Sequence, residues 1–141
     1  MTAVKVLFEC DGLAETLNAE CVGPDLYRIR NIPFFVYGVS FLDVVAAQPD
    51  SEGVLRYQDT VAKSGHRTLR CHPDATAHVA AYSSAFADAL AAGGAGCEGM
   101  GVGALSIDVP PGVAIDVVVE MLVTGGWRWE HADPPPPEAG A

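Results

Sequence analysis

The chain reads as an α+β protein, a small bent β-sheet or barrel packed on a ferredoxin-like β-α-β-β-α-β unit. Two features of the sequence predict this. Residues 1–62 carry about five short β patterns with turn signals between them and no helical period. Past residue 63 the apolar spacing changes, and two helical stripes alternate with strand patterns. Half of the 141 residues are apolar, enough for a packed core without staples.

In chain order, Val4–Glu9 is rich in β formers and reads as the first strand. Asp11-Gly12 is a turn signal, and Thr16–Val22 alternates as a second strand. Gly23-Pro24-Asp25 makes a tight turn, with proline fixing one φ and glycine freeing another. In Leu26–Arg30, Arg28 and Arg30 point one way while Tyr27 and Ile29 point the other. Asn31–Val45 then forms a strap, with three of the five Phe residues in one dense apolar run. Pro33 denies it a ladder donor, and Gly38 permits a bend. Phe34, Phe35 and Phe41 are expected to fill the seam between the two halves. Asp43–Gln48 and Val54–Ala62 complete the first unit as a hairpin around Pro49–Gly53.

His66–His72 opens the second unit as a strand. Pro73-Asp74 starts a helix, with Asp74 placed to cap free amides. Val79, Tyr82, Phe86 and Leu90 form its apolar stripe, and Gly93-Gly94 ends it. Cys97–Val102 and Leu105–Val109 are strands. Pro110-Pro111-Gly112 starts a second helix, with Ile115, Val118, Val119 and Leu122 on one face. Gly125-Gly126 stops it, and Trp127–His131 is the last strand. The predicted units are residues 1–62 and 63–132, with 133–141 a disordered, proline-rich tail.

Acids outnumber bases 18 to 8, a formal charge of −10. That balance argues against nucleic acid and anionic membranes, whose binders present a basic face. No apolar run approaches the ~20 residues that span a bilayer. The first residues start a strand pattern and lack the apolar core of a signal peptide, so the expectation is a cytoplasmic protein. Cys10, Cys21, Cys71 and Cys97 have no Cys-x-x-Cys spacing and read as free, buried thiols. Cys71 and His72 are adjacent on a strand and leave opposite faces, so no metal site is expected. No cofactor motif is present either. Gly99, Gly101 and Gly103 precede a strand rather than a helix, the wrong context for a phosphate loop.

The site candidates cluster around the start of the second unit. His66 has the intrinsic acidity for acid–base work. Asp43 or Asp59 could orient its ring, and Ser64 lies two residues away. No Gly-x-Ser-x-Gly elbow surrounds Ser64. Arg28, Arg30 and Arg70 could hold a carboxylate or phosphate, with Tyr37 and Phe35 supplying ring contacts. Each also has a plain structural reading, as a packed or salt-bridged residue. Trp127 and Trp129 share one face of the last strand, either core or a stacking surface, and the edge of that strand could pair two copies.

Asn31-Ile-Pro-Phe-Phe35, Gly38-Val39, Asp43-Val-Val-Ala-Ala47, Ser64-Gly-His-Arg-Thr-Leu-Arg70 and Ile107-Asp-Val-Pro-Pro111 occur in a characteristic order. From about Phe8 to Trp129 the chain resembles an uncharacterised bacterial family, domain of unknown function 4265. The resemblance implies a small stand-alone cytoplasmic bacterial protein and no particular activity. The Gly-rich segment Gly93–Gly103 departs from the family pattern.

Two functional classes follow. One is a binding or accessory protein that takes a small molecule or peptide in a cleft between the units. The other is a cofactor-independent enzyme, with His66 as acid or base on an anionic substrate. An immunity-type inhibitor of a partner protein is a further alternative.

Overall fold

The computed structural model describes residues 3–73, 79–99 and 103–134, without the side chains of Cys10 and residues 79–83. Strands β1 (Ala3–Cys10), β2 (Leu13–Gly23), β3 (Leu26–Ile29), β4 (Val44–Pro49) and β5 (Leu55–Ala62) close into a barrel in sequence order. Successive strands pair antiparallel, and β1 meets β5 in parallel at Val6 opposite Leu55. Period-2 alternation decides what points inward: on β2, Glu15, Leu17 and Ala19 are buried with exposed residues between them. Val6, Phe8, Leu17, Ile29 and Val45 fill the barrel, and the Phe8 ring stacks on Tyr57 at 4.6 Å. Tyr57 lies on the last strand, so this stack helps hold the parallel seam.

A second, antiparallel sheet contains β6 (Arg67–Pro73), β7 (Gly96–Gly99), β8 (Leu105–Val109) and β9 (Trp127–Asp133), ordered β7-β8-β6-β9. Helices α1 (Val79–Ala92) and α2 (Ile115–Thr124) supply the cover of one face. Leu69, Cys71, Leu105, Ile107, Val109 and Trp127 point toward them and meet Leu90, Val118 and Leu122. Fully burying a leucine such as Leu122 contributes roughly 1.5–3 kcal/mol. The molecule is thus α+β, with a five-stranded and a four-stranded sheet and two helices among the described residues. No helix among them is long and apolar enough to cross a membrane.

Several expectations need correction. The second helix starts at Ile115, after Pro110–Gly112 has turned with Val113 N–H donating to the Pro110 carbonyl at 2.9 Å. β6 starts at Arg67 and leaves His66 in the link. The expected tail loses Asp133, which is a buried member of β9; residues 135–141 lie outside the described residues. So do the helix start at Asp74 and the end of the strand expected to reach Val102. Cys21 is exposed rather than buried: it continues the parity of Leu17 and Ala19 but stands at the end of β2, where the pairing shifts between Cys21 and Gly23.

The largest correction concerns the strap. Its rings do not fill the seam: Phe34, Tyr37 and Phe41 are half-buried and Phe35 is 39% exposed. Ahead of β4 its buried side chains are Ile32, Pro33, Val36, Val39, Ser40 and Asp43. Val36 and Val39 join the barrel core. On its other side the strap lies on the second sheet's helix-free face, where alternation places polar side chains.

Irregular backbone held inside a protein must find hydrogen-bond partners outside any ladder. Here acids and hydroxyls on neighbouring strands supply them. Glu15, 8% exposed, accepts from the N–H groups of Phe34, Phe35 and Val36 at 2.6, 3.0 and 3.2 Å. Glu98 on β7 accepts from Ile32 N–H at 2.5 Å. Ser106 on β8 donates to the Pro33 carbonyl at 2.5 Å, and Arg70 on β6 donates to the Val36 carbonyl. Gly38, at φ +79°, donates its N–H to the Ala132 carbonyl at 2.8 Å.

The strap ends in a charged knot. Lys63 donates to Asp43 at 2.5 Å, Asp133 at 2.6 Å and the Gly38 carbonyl at 2.9 Å. Asp43 also accepts from the N–H groups of Ser40 and Ser64. Ser40 Oγ bridges Thr68 at 2.7 Å and Asp133 at 2.5 Å. Burial opposes the charge on Lys63, but the bonds to Asp133 and Asp43 outweigh it and raise its pKa above the ordinary 10.5.

Two outcomes follow. Glu15→Ala strands the three strap N–H groups and costs on the order of 3 kcal/mol by chemical denaturation, with Glu15→Gln losing about half of that. A loss under about 1 kcal/mol for Glu15→Ala would show that water replaces the carboxylate. Lys63→Met leaves two buried carboxylates facing each other and costs on the order of 2 kcal/mol at pH 7, a value discounted because Lys63 is half-exposed. A raised folded-state pKa means the lysine's contribution is complete below the ordinary value and is lost as pH climbs through the raised one. Wild type therefore loses stability above about pH 10.5 in a limb that Lys63→Met lacks; parallel profiles for the two proteins would refute the knot's role.

Candidate functional site

Two places gather the residues expected to carry chemistry. The first is the link between the units. His66 sits just before β6, with a side chain 14% exposed. Its Nδ1 lies 2.8 Å from Asp108 Oδ1, and its ring meets the edge of Phe41 at 5.5 Å between centroids. The orienting carboxylate is therefore that of Asp108, not Asp43 or Asp59. Asp43 is turned to Lys63 and the strap amides, and Asp59 lies on β5 of the barrel. Burial raises the pKa of Asp108, while the bond and charge of His66 pull it down. Ser64 Oγ donates to the Phe41 carbonyl at 2.7 Å and accepts from His66 N–H at 3.1 Å. Its hydroxyl is thus engaged with backbone rather than with the imidazole.

The second is a cleft of about 850 Å³. Its floor is the helix-free face of the second sheet where the strap no longer covers it, with Arg70 and His72 from β6 and Arg128 and Glu130 from β9. Phe34, Phe35 and Tyr37 of the strap form one wall, and Leu13 of the β1–β2 hairpin adds to it. Trp127 and Trp129 also border the space. Trp127 is 5% exposed and Trp129 is partly buried, and both pack on the helix core, so the packing reading of this pair holds.

A polar clamp crosses the cleft. Tyr37 donates its hydroxyl to Glu130, with 2.8 and 2.9 Å to the two carboxylate oxygens. Arg70 lies 3.6 Å from the same carboxylate, with its guanidinium carbon 4.9 Å from the centroid of the Tyr37 ring. Tyr37, Phe35 and Arg70 are thus brought together as expected candidates.

Arg28 and Arg30 are not part of it. Arg28 on β3 and Arg30 just past its end pair with Glu20 at 3.3 and 3.6 Å, and Arg30 also stands 5.9 Å over the Phe41 ring. His66 lines neither this cleft nor the smaller one of about 320 Å³ between the link and the start of α2. Cys71 borders the large cleft but is buried, which pushes its thiol up to about 12, far from a thiolate at neutral pH. Among the described residues, no three His, Cys, Asp or Glu side chains are grouped to hold a metal ion.

Sequence reasoning missed Asp108, Glu130, Arg128 and Lys63. A signal existed for the first three. Asp108 alternates with Leu105, Ile107 and Val109, and Arg128 and Glu130 alternate with Trp127 and Trp129, so their face was legible. What that face met was not.

No curated protein matches the chain in sequence. A solved structure titled "Novel crystal structure of a hypothetical protein from Neisseria gonorrhoeae" is similar with a TM-score of 0.68. The match covers 94% of this chain and 95% of that chain at 16% identity, which speaks to fold alone. The family model described as Domain of unknown function (DUF4265) matches residues 15–129, a span holding the strap, the link and most of the cleft. The chain belongs to that family.

Proposed function

We propose that this protein is a cytoplasmic binding or accessory protein that takes a small molecule or peptide in the cleft beside the strap. The observation that carries the reading is the cleft itself. About 850 Å³ lies within the roughly 300–1,000 Å³ typical of ligand sites. Its walls are aromatic, and a few polar groups converge on its floor, the combination that gives a ligand both area and orientation. Phe35 at 39% and Leu13 at 53% leave apolar surface open at the rim. The enzymatic alternative at His66 draws no support from this cleft, because the imidazole does not border it.

The same reading treats residues 63–132 as a ferredoxin-like unit and residues 1–62 as its barrel companion. The order β6-α1-β7-β8-α2-β9, with β8 and β6 central, supports that description. The cleft then opens on the sheet face that the helices do not cover.

The test is a fragment titration of isotope-labelled full-length protein by NMR. Binders with Kd below about 1 mM are expected to shift amides of Phe34–Tyr37, Ala104–Leu105 and Trp127–Glu130. Phe35→Ala should weaken such binders several-fold while altering stability by no more than about 0.5 kcal/mol, as an exposed side chain does. Binders that map elsewhere, or none at all, would end the reading.

A further inference from the structure

The smaller cleft, of about 320 Å³, carries a different chemistry. It opens where the helix cover of the second sheet begins. Period-two alternation puts Arg67, the first residue of β6, on the face of Leu69 and Cys71, which the helices cover. Helix α2 starts only at Ile115, and the cleft lies between its first turn, the preceding proline turn and the start of β6. Val109, Pro111, Val113 and Ile115 line it with aliphatic surface, and Arg67 and Asp116 are its charged members.

The two charges differ from the other ionic groups of the molecule. Arg28, Arg30, Arg56, Lys63 and Arg70 each stand within ion-pair distance of an acid. Among the described residues, the side chains of Arg67 and Asp116 have no hydrogen bond or ion pair, with each other or with a third group. Both are exposed, so water satisfies them in the empty cleft and a ligand can replace it.

An anion alone would gain Arg67 and meet the repulsion of Asp116, an acid already placed in the first turn of α2 where the helix field favours it. A cation alone would meet the reverse. A molecule with both charges pairs each with its opposite, and its apolar part lies against the aliphatic lining. The volume is at the small end of the roughly 300–1,000 Å³ range of ligand sites, which suits one residue-sized molecule rather than a longer chain.

We propose that this cleft binds a free α-amino acid with an aliphatic side chain. Its carboxylate pairs with Arg67, its ammonium with Asp116, and its side chain lies against Val109, Val113 and Ile115. The site is separate from the cleft beside the strap and does not depend on it.

Calorimetric titration of the full-length protein with valine, valinamide, isovalerate and glycine provides the test. Valine is expected to bind with a Kd below about 1 mM. Valinamide lacks the carboxylate and isovalerate the ammonium, and each should bind at least about fivefold more weakly, the ratio for one exposed ion pair. Glycine keeps both charges without the side chain and should bind weaker by on the order of tenfold. Arg67→Gln should remove the preference for valine over valinamide, and Asp116→Asn the preference for valine over isovalerate. Both positions are exposed, so neither substitution should move Tm by more than about 2 °C, and a lost preference reports the site rather than the fold. In NMR spectra of labelled protein, valine should shift amides of residues 65–69 and 113–117. Valinamide or isovalerate binding as tightly as valine would overturn the inference. So would valine shifts confined to residues 34–37 and 127–130, or no heat and no shift with valine at all.

Discussion

The structure depends on one constraint: a stretch of irregular backbone runs between two β systems and must be hydrogen-bonded there. Residues 31–43 form no strand or helix, yet Ile32, Pro33, Val36, Val39 and Ser40 are buried. Each buried N–H or carbonyl left unpaired would cost about 1–3 kcal/mol. The barrel answers from one side with Glu15, and the second sheet answers from the other with Glu98, Ser106 and Arg70. The strap's backbone bonds are thus divided between the two β systems. The charged knot at Lys63 fixes the point where the chain leaves one unit and enters the other.

This explains the polarity of the second sheet. A sheet covered on both faces is usually apolar on both. Here the helix-covered face is apolar, while the strap-covered face presents Thr68, Arg70, Ser106, Asp108 and Asp133. The strap offers backbone where a third layer of helices would offer side chains, and backbone needs polar partners. Where the strap ends, the same polar face is open, and strap rings with no seam to fill stand beside it. The cleft is the uncovered remainder of an interface built for backbone.

The same geometry separates two groups of candidates that the sequence placed near one another. Tyr37, Phe35 and Arg70 meet in the cleft, whereas Arg28 and Arg30 spend their charge on Glu20 outside the barrel. His66 belongs to the link, held by Asp108 and Phe41. The similar solved structure extends this fold to another chain.

By itself the sequence determined the strands of the barrel, the two helices and the apolar faces, because these follow from periods of two and 3.6 residues along a local segment. Val118 and Leu122 are buried and Ile29 points inward as those periods require. Turn residues at Gly23–Asp25 and Gly125-Gly126 marked the ends of elements for the same local reason. Only the tertiary structure decided what the polar alternates meet. Glu15 and Phe34 are 19 residues apart, His66 and Asp108 42, and Tyr37 and Glu130 93. No local period encodes such pairings, since they depend on how a barrel, a strap and a sheet stack in space. For that reason the sequence alone points the strap's rings into a seam that its backbone occupies.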